Sequence, residues 1–258
     1  MVLNALSGIA IIVGSWLLFD SGVKLPPWNY DQLAYGLGLA STGLGILVAF
    51  GHMMLAQGAR ATVMLMGLCI VIAGGAELLS TTTGFPFGHY AYTHRLGPKF
   101  LDQVPYVIPL SWFMMLYPAL HIAHHMGLAR PVRPMAAASI LTLWDVAMDP
   151  AVTTGFAYWV WYSPGDFYGM PWYNWAGWLA VGWIVCELFE RSHPHWRPSA
   201  SAIPLTLWLV QGGMMAGLAW VLDRPIAAWL WIVGAIVVVV GYAHVPKLIG
   251  RRAHGAGS

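Results

Sequence analysis

Long apolar runs, each broken by a short polar segment, set the pattern of this chain. A membrane-crossing helix needs about 17–25 mostly apolar residues. Eight stretches fit or come close: 3–19, 32–56, 61–82, 104–126, 135–150, 172–190, 203–222 and 226–246. The fifth is short and reads as tilted, or as stopping within the membrane, which leaves seven spans as the alternative count. Only Asp223-Arg224-Pro225 separates the last two, a tight helix–helix turn. Met1 to Asp20 has neither a basic leader nor a small-residue cleavage site, and reads as a first span rather than a signal peptide. The pattern predicts an all-α, polytopic transmembrane helix bundle, a single domain over 1–250, with 251–258 a disordered tail.

Composition agrees with that pattern. The 258 residues are 59% hydrophobic and 9% charged, with a mean hydropathy of +0.65, whereas a soluble domain carries about a quarter charged residues. Such a chain cannot cover itself with polar surface, so the lipid bilayer is its solvent. A formal net charge of +2 is too small to point to nucleic acid. Cys69 and Cys186 both sit in apolar runs and carry no information about redox compartment; a disulfide between them has no support in the sequence.

Basic residues set the expected orientation. Segments after even-numbered spans hold eight, Arg60, Arg130, Arg133, Arg191, Arg197, Lys247, Arg251 and Arg252, and those after odd-numbered spans four, Lys24, Arg95, Lys99 and Arg224. This bias places the protein in the cell inner membrane with both termini cytoplasmic. Most acidic residues then fall toward the outer face: Asp20, Asp31, Glu77, Asp102, Asp145, Asp149, Asp166 and Asp223. The long connections 83–103 and 151–171 fall there too.

Three of those acids lie within or at the end of spans. Glu77 closes the apolar run Ala73-Gly74-Gly75-Ala76-Glu77, and Asp145 and Asp149 are four apart, on one helical face. A carboxyl group in a span is costly and marks function by default. Burial and the negative end of the helix dipole both disfavour its charged form, so one of the three is expected to stay a neutral acid. A neutral acid beside a carboxylate is the arrangement acid–base chemistry uses. The structural alternative is that Arg95, Lys99 or a backbone amide pairs with these acids and they only hold the bundle. Asp20 and Asp223 read as solvated caps and Asp166 as a turn residue.

Aromatic residues crowd the second long connection and the start of the next span: Phe156, Tyr158, Trp159, Trp161, Tyr162, Phe167, Tyr168, Trp172, Tyr173, Trp175 and Trp178. An interfacial belt decorates both faces of a membrane, yet the connections 57–60, 127–134 and 191–199 hold only Trp196. The asymmetry points to an aromatic-lined pocket or a re-entrant hairpin. Aromatic faces attract cations, including a carbocation on a bound hydrocarbon.

Histidines offer a competing chemistry. His121-Ile-Ala-His124-His125 matches the H-x-x-H-H box of membrane di-iron oxygenases, and His89 and His94 match its H-x-x-x-x-H box. The two boxes lie at opposite ends of the fourth span, about 30 Å apart at 1.5 Å per residue, whereas a two-metal site needs ions about 3.5–4 Å apart. His52, His193, His195 and His244 join the box at the inner face, so a histidine-ligated haem or metal oxidoreductase stays an alternative. A proton-coupled transporter is disfavoured, because no buried acid continues a path across the spans.

Two collinear signatures carry a family resemblance. The first runs Glu77-Leu-Leu-Ser-Thr-Thr-Thr-Gly84-Phe-Pro86-Phe-Gly88-His-Tyr90-Ala-Tyr92-Thr, then Leu96-Gly97, Val104-Pro105 and Trp112. The second is Asp145-Val-Ala-Met-Asp149-Pro150, Trp159-Val-Trp161, Tyr168-Gly169-Met-Pro171 and Asn174-Trp-Ala-Gly177-Trp178. Together they resemble the membrane carotenoid hydratases, the family of γ-carotene and bisanhydrobacterioruberin hydratases. The resemblance implies a cofactor-independent hydro-lyase that adds water across the terminal C1=C2 double bond of an acyclic carotenoid end held in the membrane. No metal and no redox cofactor are implied. On that chemistry Glu77 and Asp149 are the expected acid–base pair, with Asp145 the alternate and the donor unassigned. Tyr90, Tyr92, Trp112 and Trp159 or Trp161 are expected to wall the substrate, and Asn174 to position water or cap the sixth span. A carotenoid cyclase would use the same acid and aromatic wall. A homo-oligomer is compatible with the sequence but not specified by it.

Overall fold

The computed structural model describes the backbone of residues 30–255 and the side-chain surroundings of residues 36–244. The expected first span, 3–19, lies outside the described residues, as do Asp20 and Lys24. Helices dominate. They are α1 (Tyr30–Gln57), α2 (Ala59–Thr83), α3 (Val107–His125), α4 (Arg133–Gly155), α5 (Trp172–Ser192), α6 (Ile203–Val221) and α7 (Pro225–Gly255). Apart from α5, each contains a stretch long and apolar enough to cross a membrane. Helix α5 matches them in length, but Trp172, Tyr173, Asn174 and Trp175 open it, and Glu187, Glu190 and Arg191 close it, which lowers its average hydropathy. The chain is an all-α polytopic membrane protein in which each expected span from 32–56 onward is a helix. The last helix continues to Gly255, beyond the start of the expected tail; residues 256–258 lie outside the described part.

Helices α3 and α4 form the centre, with 78% and 67% of their spans buried, against 22–28% for α1, α2 and α7. The peripheral helices present Leu55, Val71, Val233 and Val237 outward, as a lipid-facing surface should. Small residues let α4 and α5 approach: a Cβ on Gly182 would sit 3.1 Å from Leu141 and 3.3 Å from Ala138, the close backbone packing favoured between membrane helices. Gly58, at φ 83, is the single residue between α1 and α2.

Helix α4 runs further than the sequence suggests, and Glu77 lies deeper in α2 than the end of its apolar run implies. The fifth expected span, 135–150, is a full 23-residue helix that continues through Pro150 to Gly155, because neighbouring helices let a span tolerate an internal proline. Glu77 does not end its helix either. After a π-helical stretch at Cys69–Ala73, α2 continues past Glu77 to Thr83 and stops at Gly84, which adopts the left-handed conformation. The hydroxyls of Thr81, Thr82 and Thr83 donate to the carbonyls of Leu78 and Leu79 within the same last turns, the local back-bonding by which short hydroxyl side chains are satisfied inside a helix. Glu77, Asp145 and Asp149 therefore sit more than a turn inside their helices, where the terminal dipole has little reach.

Strand appears in the two expected connections and in the first two residues of the expected span 104–126, whose helix begins only at Val107. β1 (Tyr90–Tyr92) pairs antiparallel with β4 (Trp159–Trp161), in the register Tyr90 to Trp161 and Tyr92 to Trp159. A smaller pair, β2 (Lys99–Phe100) and β3 (Val104–Pro105), turns through Leu101 and Asp102 at positive φ. Both ribbons lie at the end of the bundle where α2, α4 and α6 finish, here called the ribbon end.

Charges pair at the opposite end. Glu190, with 2% of its side chain exposed, meets Arg133 at 2.8 Å, Arg130 at 3.2 Å and His124 at 3.4 Å. Glu187 meets Arg130 at 2.9 Å and Arg191 at 2.7 Å. This network ties the α3–α4 connection to the end of α5. Removing a buried partner strands a charge, at about 3–5 kcal/mol, whereas exposed pairs contribute about 0–1 kcal/mol. Glu190→Leu is thus expected to lower the melting temperature of the detergent-solubilised protein far more than Glu187→Ala. Equal losses in thermal denaturation would show that Glu190 does not anchor this end.

Candidate functional site

The site is built from Glu77 on α2, Asp145 and Asp149 on α4, and the groups that donate hydrogen bonds to them. All three acids are at least 98% buried. They line a single cavity together with Tyr90, Tyr92, Trp112, Trp159, Trp161 and Asn174. Every residue singled out from the sequence as catalytic or substrate-binding is therefore brought to one place.

The ribbon explains how. Side chains alternate faces along a strand and directly opposed residues share a face, so Tyr90 and Tyr92 project beside Trp161 and Trp159. That shared face covers the carboxyl groups, while Val160 between the tryptophans is half exposed. The hydroxyls of Tyr90 and Tyr92 both donate to Glu77 Oε2, the latter at 2.7 Å. Trp112 Nε1 of α3 donates to Glu77 Oε1 at 2.9 Å. Trp159 and Trp161 each donate an indole N–H to Asp149 Oδ1, at 3.3 and 3.2 Å.

Asn174 joins the two aspartates. It sits in the first turn of α5 but does not cap it; its Nδ2 donates to Asp145 Oδ2 at 2.9 Å and to Asp149 Oδ2 at 3.4 Å. Asp145 Oδ1 is buried and has no partner among the described residues. Burial first, and then the Glu77 carboxyl group, push both ribbon phenols well above the usual tyrosine range. Tyr90 and Tyr92 thus remain hydroxyl donors throughout the neutral and moderately alkaline range.

Among the described residues no cation neutralises these acids. Arg95 Nη1 donates instead to the carbonyl of Phe156 at 2.8 Å, and Lys99 Nζ to that of Tyr92. Both basic side chains brace the ribbon and its flanks, and among the described residues neither they nor any other base forms an ion pair with Glu77, Asp145 or Asp149.

Beyond the acids the cavity is aromatic and apolar. Trp112 and Trp178 stack at 4.0 Å and 13°, with Phe87 tilted against both and Trp144 edge-on to Trp178. Met148, Val152, Phe156 and Tyr158 continue the wall, which closes with Leu39 and Thr42 of α1 and Gln211 and Met215 of α6. Of these, Gln211 was not expected at the site, and Trp178, one of the crowded aromatics, was given no place in the substrate wall, although both carry a readable signal. Trp178 lies four residues after Asn174 and so on the same helix face, and Gln211 is a lone amide in an otherwise apolar span.

The histidines divide. His121, His124 and His125 end α3, a helix about 28 Å long at 1.5 Å per residue, while His89 and His94 lie on the ribbon-end connection. His52 Nδ1 pairs with the Tyr117 hydroxyl at 2.6 Å, His121 Nε2 faces the Ser199 carbonyl at 3.0 Å, and His125 stacks on Tyr242. His121 also lies in ring contact with His52, Tyr117 and His125, yet among the described residues no three metal-ligating side chains converge in a way that could hold an ion. Cys69 and Cys186 are both buried free thiols.

Fold and site together define an integral membrane protein with an acid cluster under an aromatic roof. Its family follows from sequence comparison. Residues 38–242 match the model of the carotenoid biosynthesis protein family, and the chain belongs to that family. Over 121 residues it is 36% identical to a bisanhydrobacterioruberin hydratase of Haloarcula japonica. That match spans 45% of this chain and 40% of the relative, so the chain covers less than half of the curated relative's length. No solved structure matches the chain.

The ribbon geometry makes a direct prediction. Tyr92→Phe removes a donor from a buried carboxyl group and is expected to cost about 1–3 kcal/mol. Val160→Thr, on the opposite face of the ribbon, is expected to stay within about 0.5 kcal/mol. Thermal melts of the two variants check this; a larger loss for Val160→Thr would mean the register is wrong.

Proposed function

We propose that this protein is a hydratase that adds water across the terminal C1=C2 double bond of an acyclic carotenoid end group, without a redox cofactor. The observation that carries this reading is the cluster of three buried acids, without a cationic partner among the described residues, set in an aromatic cavity of a membrane-embedded bundle. Family membership and the similarity to a bisanhydrobacterioruberin hydratase support the substrate class. An isolated trisubstituted alkene offers no lone pair and no acidic proton, so its activation needs a strong acid close to carbon. Protonation of C2 places a tertiary cation at C1, and water captures it as its own proton leaves to a carboxylate. General acid and base groups of this kind each contribute about 10²–10⁴-fold.

The wall fits the intermediate. Tryptophan faces stabilise a cation by about 2 kcal/mol or more when water is excluded, and Trp112, Trp144 and Trp178 crowd beside the acids. A long polyene dissolves in the bilayer, so a site inside a membrane bundle meets its substrate without extracting it into water. We further propose that the ribbon end faces away from the cytoplasm, in line with the excess of basic residues toward the other end.

Expression in a bacterium that accumulates lycopene tests the proposal. The expected pigment is heavier by one or two waters and keeps the polyene chromophore, because hydration of C1=C2 leaves the conjugated system untouched. Glu77→Gln and Asp149→Asn are each expected to reduce the yield on the order of a hundredfold or more. A product of unchanged mass with a ring would instead establish cyclisation. Full hydration by both variants would remove these carboxyl groups from the reaction.

A further inference from the structure

The three acids are not equivalent, and their hydrogen bonds divide the work among them. Glu77 accepts from three donors, Tyr90, Tyr92 and Trp112. Asp149 also accepts from three, Trp159, Trp161 and Asn174. An indole N–H can only donate, so the oxygens it meets must offer lone pairs, as a carboxylate does. Asp145 is different. It accepts only from Asn174, through Oδ2, and its buried Oδ1 has no partner among the described residues. That oxygen can carry a proton without losing any hydrogen bond the protein makes. Three like charges in one desolvated site are also mutually destabilising, so a proton held within the cluster lowers its energy.

Resting on the hydratase reading above, we infer that Asp145 is the proton donor to C2, Asp149 the base that activates water, and Glu77 a standing anion that stabilises the C1 cation. The step balances. The Asp145 O–H bond breaks, the C1=C2 π pair forms the new C2–H bond, and C1 becomes a tertiary cation. Water oxygen forms the C1–O bond, and the proton it loses passes to Asp149. Asp145 is then a carboxylate and Asp149 a neutral acid. One proton must pass from Asp149 to Asp145 before the next turnover, and both side chains are held by a single amide, Asn174. Their i,i+4 placement on α4 puts them on one face for that return. Glu77 takes no part in the transfer: Tyr92 and Trp112 hold it at 2.7 and 2.9 Å, against 3.2–3.4 Å for the donors on Asp149, and Asn174 does not join it to either aspartate.

Donor and base can be separated by isotope. Membranes loaded with lycopene are suspended in deuterium oxide, and both hydrated product and recovered lycopene are analysed by mass spectrometry. Variants are compared at equal amounts of membrane-inserted protein that retains bound carotenoid after detergent extraction. Asp149→Asn still forms the cation but captures water poorly. The cation then loses protium, from C2 or a methyl group on C1, to the Asp145 carboxylate and keeps the deuteron it received, so recovered lycopene gains deuterium while hydration falls on the order of a hundredfold. Asp145→Asn is expected to abolish both deuterium gain and hydration, and Asp145→Glu to regain deuterium gain. Deuterium in lycopene recovered from Asp145→Asn, or its absence with Asp149→Asn, overturns the assignment. A wild-type protein that exchanges deuterium but adds no water refutes hydration itself, and Asp145→Asn then still decides the donor.

Discussion

Three carboxyl groups buried within membrane-spanning helices, and solvated only by phenol, indole and amide donors, are the constraint on which this structure turns. A desolvated carboxylate without partners is prohibitively costly, and the usual remedy, a cationic neighbour, is absent among the described residues. The donors come from every direction instead: Trp112 from α3, Asn174 from α5, and four side chains from a two-stranded ribbon. The ribbon is short, and strands of this length do not hold alone. It is held by the bonds it makes to the acids and by braces such as Lys99 on the Tyr92 carbonyl and Thr93 on those of Ala157 and Tyr158. Acids and ribbon therefore stabilise each other, and neither is an ornament on a bundle that would exist without it.

The two ends of the bundle treat charge in opposite ways. At one end Glu190 and Glu187 meet arginines within 2.7–3.2 Å, and the result is a lock between helices. At the other, the basic side chains Arg95 and Lys99 bind backbone carbonyls and form no ion pair with the acids. An arginine beside Glu77 or Asp145 would hold the cluster fully ionised and leave no proton to give. Keeping cations off the acids while surrounding them with neutral donors is the electrostatic condition for a proton donor inside a membrane.

Most of the helical frame was legible in the sequence, because runs of about twenty apolar residues have few other solutions in a chain so poor in charge. Helix ends were less so. Glu77 and Pro150 both look like terminators when read alone, but α2 continues to Thr83, where left-handed Gly84 stops it, and packing carries α4 through its proline. The site residues were legible by type, since acids in spans and an excess of tryptophan at one end are conspicuous. Their arrangement was not. The patterns Tyr90-Ala-Tyr92 and Trp159-Val-Trp161 have the two-residue period of a strand, but three residues are too few to outweigh an expectation of loops. Only the pairing of segments almost seventy residues apart reveals that the four aromatics share one face. Nor could spacing show that Asn174 serves two aspartates rather than the end of its own helix.

Uneven solvation of the acids also bears on why a cluster is needed at all. One buried acid could protonate an alkene, but its conjugate base would then have to capture water and recover its proton in the same place. With two aspartates one turn apart under a shared amide, the outgoing and incoming protons use different oxygens. The cation need not wait for a single group to turn over. On the proposed assignment a third carboxylate, saturated by Tyr90, Tyr92 and Trp112, would lower the energy of that cation without competing for its proton. The indole stack of Trp112 and Trp178 then links the anion to the wall: the ring that donates to Glu77 lies face to face with Trp178, and both line the cavity. Donating its N–H to an anion makes that indole more electron-rich, and an electron-rich face holds a cation more strongly. In the proposed hydration, carboxylate and aromatic wall would thus act on the intermediate as one electrostatic unit.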